Sequence, residues 1–70
     1  MDVDEAVEMC DKILEDLDLL PERAAEFSDS VAEKVGGMRD WIEEHQAVTD
    51  RMSTALENIR GGVDKWLGNA

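Results

Sequence analysis

The sequence predicts an all-α protein: a helical hairpin, about 2–19 and 21–67, whose long second helix carries a heptad pattern. Three observations lead there. From residue 31, steps of four and three select Val31, Val35, Met38, Ile42, His45, Thr49, Met52, Leu56, Ile59, Val63 and Trp66. Nine of these eleven are apolar, against five of the other 25 residues between 31 and 66, so the apolar side chains follow one narrow helical stripe. The composition agrees, with abundant Glu, Leu, Ala, Met and Val, one proline and 4% aromatic residues. No stretch sustains the apolar–polar alternation of a strand.

The first helix begins among Asp2, Asp4 and Glu5, acids that suit the positive end of a helix dipole. Its stripe is Val3, Val7, Cys10, Leu14 and Leu17, flanked by Ala6, Ile13 and Leu20. Pro21 lacks a backbone N–H and disfavours helix at Leu20, so it opens the second helix as its first residue. A hairpin bent there brings Asp18 near Arg23, Lys12 near Asp29, and Asp4 or Glu5 near Lys34 and Arg39, all of opposite sign; Glu15 near Glu26 is the exception.

At ~1.5 Å per residue the first helix is roughly 27 Å long and a second helix over 21–67 about 70 Å. The first can cover the second only to about Met38, leaving Ile42 to Trp66 facing water. Burying a large apolar side chain contributes roughly 1.5–3 kcal/mol, so this exposure favours association as a coiled coil or helical bundle. The alternative is a compact three-helix bundle broken at Gly36-Gly37. Against it, the heptad phase crosses both glycine pairs without interruption.

The glycines form a repeat. GGMRDWI from Gly36 and GGVDKWL from Gly61 share two glycines, an apolar residue, two charges, Trp and an aliphatic residue. On a continuous helix the offset of 25 residues is close to seven turns, placing Gly36, Gly37 and Trp41 on nearly the same face as Gly61, Gly62 and Trp66. Such spots allow another backbone to approach beside a large aromatic contact. Coincidence in a helix-rich composition explains the repeat equally well.

Charge narrows the partners. The net charge is −11; residues 1–33 hold twelve acids against Lys12 and Arg23, whereas residues 34–70 hold six acids against five bases. Such acidity repels phosphate, so neither direct nucleic-acid binding nor an anionic membrane surface is expected. It leaves open a solvated surface, a face for a basic partner (Asp11, Glu15, Asp16, Asp18 and Glu22), and adaptation to high salt. No apolar run is long enough for a bilayer and no basic-then-apolar start resembles a signal peptide, so a cytoplasmic protein is expected.

Chemistry is sparse. Cys10 is alone, sits on the apolar stripe and has acids rather than a base nearby, so it reads as a small hydrophobe. Met1, Met9, Met38 and Met52 read as gap-filling core residues. His45 lacks the Glu-x-x-His spacing of carboxylate-bridged metal sites; with Thr49 it forms two polar steps that would set register in a coiled-coil seam. Neither glycine pair is followed by the Lys-Ser/Thr of a phosphate-binding loop. No catalytic residue, metal or cofactor is expected. The expected function is that of a non-enzymatic interaction module, a small subunit, adaptor or scaffold piece. It would form a homo-oligomer or join a larger protein complex through the 31–66 seam. The alternative is an acidic inhibitor or antitoxin-like protein that covers a basic surface of its partner, such as one that binds nucleic acid.

Overall fold

Asp2 starts the first helix: its side chain accepts a 2.7 Å hydrogen bond from the Glu5 N–H, and α1 runs Val3–Leu17. The computed structural model describes residues 1–68, so the last two residues of the expected single domain lie outside it. Pro21, extended at φ −68° and ψ 159°, precedes a 3-10 turn at Glu22–Ala24 that leads directly into α2, Ala25–His45. A third helix, α3, runs Asp50–Trp66. Over the described residues the fold is all-α, three α-helices packed as a bundle about one core.

The long second helix does not form. It divides at residues 46–49, and the largest dimension of the Cα trace is 35 Å, half the length a continuous helix would need. Nor does the chain break at the glycines: Gly36 and Gly37 lie within α2, and Gly61 and Gly62 within α3. Their cost of about 1 kcal/mol each relative to alanine is borne by packing on the opposite faces. Instead Gln46 leaves the helix in the left-handed conformation, φ 51° and ψ 43°. Its N–H donates to the Ile42 carbonyl at 2.8 Å and its side-chain amide to the Glu43 carbonyl at 2.7 Å, satisfying two of the last orphan acceptors. Thr49 then caps α3, its hydroxyl accepting from the Met52 N–H at 3.1 Å.

The heptad seam is therefore folded onto itself. Val31, Val35 and Ile42 from α2 meet Leu56 and Val63 from α3 in the core, and all but Val31 are fully buried. From the expected stripe of the first helix Cys10 and Leu17 enter the core, joined by Ala6 and Ile13 from its flank, so the buried face is rotated toward that flank. The rotation has a simple cause: α1 packs against both other helices, so its buried arc is wide and Val3, Val7 and Leu14 move to the edge.

The hairpin register also differs. Arg39 pairs with Asp11 at 2.7 Å rather than with Asp4 or Glu5, roughly two helical turns away. Because α1 ends at Leu17 and residues 18–24 form the connection, the bend is longer than a hinge at Pro21. None of the expected opposite-sign pairs occurs among the ion pairs of the described residues.

Candidate functional site: an apolar groove between two helices

The first helix touches both of the others extensively, whereas α2 and α3 meet each other only sparingly. Their separation opens a groove of about 600 Å³. Phe27, Val31 and Met38 line it from α2 and Ala55 and Ile59 from α3. Ser30, Lys34 and Asn58 supply its polar lining, so Lys34 is the one charged side chain there among the described residues. Phe27 closes one end. Its ring lies 6.1 Å from that of Trp66, and its edge would stand 3.3 Å from a Cβ at Gly62. Arg23 places its guanidinium 5.7 Å above Trp66, a cation–π contact at the same end.

The structure divides the expected interface. Val35, Ile42, Leu56 and Val63 are inaccessible inside the chain's own core, and Val31 nearly so. Met38 and Ile59 remain half-buried at the groove, Trp66 is half-buried against Phe27 at its end, and Met52 is half-buried against the core. His45 and Thr49 flank the turn at 46–49 and set no register: Thr49 is a cap, and His45 stacks on Trp41 at 4.2 Å while its Nδ1 donates to the Trp41 carbonyl at 3.0 Å.

The Gly-Trp repeats are not equivalent. In a folded-back chain they no longer share one face of one helix: Trp41 stacks on His45, whereas Trp66 packs on Phe27 under Arg23. A Cβ at Gly36, Gly37 or Gly61 would meet nothing within 4 Å, so no close backbone approach uses them inside the chain.

Of the acidic set, Asp11, Glu15, Asp18 and Glu22 are exposed, but Asp16 is buried at 4% accessibility. Its carboxylate faces α3, where Arg60 Nη1 lies 2.7 Å away, with Lys12 at 3.4 Å on its other oxygen. No N–H of that nitrogen is aligned with an acceptor, so the contact is chiefly an ion pair. Arg60 also holds Asp64 at 2.6 Å. The Arg60 guanidinium, opposed by burial and assisted by Lys12, lowers the Asp16 pKa below the usual carboxylate value. This cluster was missed in the sequence, yet a signal was there: Met9, Ile13, Asp16 and Leu20 form one helical row in which Asp16 alone is polar.

Two further places carry less chemistry. The buried Cys10 thiol is pushed above its ordinary pKa by desolvation and then by the charge of Asp11, the direction of an unreactive thiol. A shallow hollow near Val3, Glu8, Glu43 and Gln46 is open and mixed in polarity. Among the described residues no three His, Cys, Asp or Glu side chains are grouped as a metal site, and no helix is long and apolar enough to cross a membrane. Comparison with family models, curated proteins and solved structures returned no match.

Proposed function

We propose that this chain is a non-enzymatic helical interaction module whose docking face is the α2–α3 groove. The observation that carries the reading is the groove itself: two helices with half-buried Phe27, Met38 and Ile59 between them around an open space of about 600 Å³. A fourth helix laid there would continue the core and remove the groove's own apolar surface from water, at about 25 cal/mol per Å² covered. The role is that of a small subunit or adaptor, acting through contact rather than chemistry.

The exposed back of α1 supports a second reading. Asp4, Glu8, Asp11, Glu15 and Asp18 recur at steps of four and three on one exposed face, with only Asp11 tied to a base among the described residues. Such a stripe suits a basic partner surface whose attachment weakens steeply with salt.

A photo-crosslinking residue separates the readings. Placed at Asn58 it should trap a bound protein, whereas at Glu57, one residue away on another face, it should not. Adducts formed at Glu15 and absent at Asn58 would transfer the function to the acidic face.

A further inference from the structure

The ridges bordering the groove carry opposite charge in matching register. On α2, Glu26, Glu33 and Asp40 recur at seven-residue steps, one row outside Ser30, which lines the groove. On α3, Arg51, Asn58 and Lys65 recur at the same step, with Asn58 lining the groove. All six are exposed, and none of the five charged ones joins an ion pair among the described residues. Lysine and arginine on one ridge and acids on the other fit neither a uniformly basic nor a uniformly acidic ligand. They fit a partner whose own two ridges have opposite signs.

Resting on the reading of the groove as a docking face, we infer that its occupant is a second copy of this chain, paired face to face about a two-fold axis along the groove. That operation lays α2 of each copy over α3 of the other. The two helices run antiparallel within a copy, with Phe27 level with Trp66 and Lys34 sharing the groove with Ala55. Rotation about the groove axis preserves these levels. The partner's Glu26 therefore comes level with Lys65, the partner's Glu33 with Asn58, and the partner's Asp40 with Arg51. These three ridge levels match acid to base or to an amide donor, twice by symmetry. Lys34, inside the groove, instead comes level with the partner's Lys34, a like-charged level that the long exposed side chains must splay to relieve. The other isologous choice, an axis across the groove, would lay α2 on α2 and set acid against acid.

The same pairing disposes of the net charge. The acidic face of α1 lies behind α2 and α3 in each copy, so the two strongly negative surfaces end on opposite outer sides. The four inner helices alternate in direction, the arrangement of an antiparallel four-helix bundle. Gly37 and Gly61, each one turn along from a ridge residue and open to 4 Å, would let the facing helices approach closely.

Charge reversal tests this with the full chain. One variant carries Arg51→Glu and Lys65→Glu; the other carries Glu26→Lys, Glu33→Lys and Asp40→Lys. Circular dichroism checks that each remains helical, and sedimentation equilibrium measures mass from micromolar to millimolar concentration. The parent should dimerise, each variant alone should dimerise at least about tenfold more weakly, and an equimolar mixture should recover the parent's affinity, because all facing ridges are again complementary. A parent that stays monomeric throughout overturns the inference whatever the variants do. Undiminished dimers of either variant alone overturn the α2-over-α3 arrangement. The groove reading stands or falls separately: a crosslink from Asn58 to a different protein, with a monomeric parent, keeps the groove and removes the second copy.

Discussion

Asp16 carries the same charge as Asp11 and Glu15, yet it alone of the three is enclosed, because its row on α1 faces α3 and meets Arg60. A group whose folded pKa is lowered contributes stability above its unfolded pKa, near ~3.9, and loses it as pH falls through the folded value. Acid should therefore destabilise the protein below about pH 4, and Asp16→Asn should flatten that part of the profile in urea titrations. Arg60→Met, which strands the carboxylate with Lys12 alone, should cost about 1–3 kcal/mol at neutral pH by the same measurement. The glycines make the opposite kind of prediction. Gly36→Ala fills open space on a helix and should raise stability by up to about 1 kcal/mol. Gly62→Ala should gain less, since its new methyl would meet the Phe27 ring at 3.3 Å; paired thermal melts compare the two. The sequence supports helix at both glycine pairs through unbroken apolar phase, but the packing partner of a charged residue depends on which helix lies opposite.

At the level of elements, the segment over residues 46–49 decides the fold. Helix type was legible throughout, because propensity and three-to-four spacing act within each segment. The reversal was not, for two physical reasons. A connection of four residues replaces a step of four, so the apolar rows of α2 and α3 keep the count a single helix would have while the chain turns back. The stop also lacks glycine or proline: Gln46 takes the left-handed conformation at a cost that neighbouring hydrogen bonds offset. Thr49 followed by Asp50 is a helix-start signal, an N-cap residue with an acid in the first turn, and the heptad reading absorbed it as a seam position. Thr49→Ala should lower stability by about 0.5–2 kcal/mol, and Gln46→Gly should raise it by relieving the positive φ. Chemical denaturation of both variants checks the pair; a neutral Thr49→Ala would show that α3 does not start there.

Across the whole molecule, the apolar seam is divided between two uses. Its centre, Val35, Ile42, Leu56 and Val63, closes the chain's own core, and its margin, Met38 and Ile59, is left at the groove. The expectation that half the seam must face another chain followed from the length of an unbroken helix, and folding back removes that need for all but the margin. Leu56→Ala should thus cost about 2–5 kcal/mol of folding stability at any protein concentration, rather than merely dissociating an assembly. The most direct test of the folded-back chain is a distance. Spin labels at Asp29 and Lys65, in a Cys10→Ala background and diluted with excess unlabelled protein, report the separation of the two helix ends within one chain. With the rings of Phe27 and Trp66 6.1 Å apart, and neighbouring helices spaced ~8–10 Å, the labels should lie about 10–25 Å apart. A continuous helix would hold them about 54 Å apart, and that value would contradict the three-helix bundle and the groove it creates.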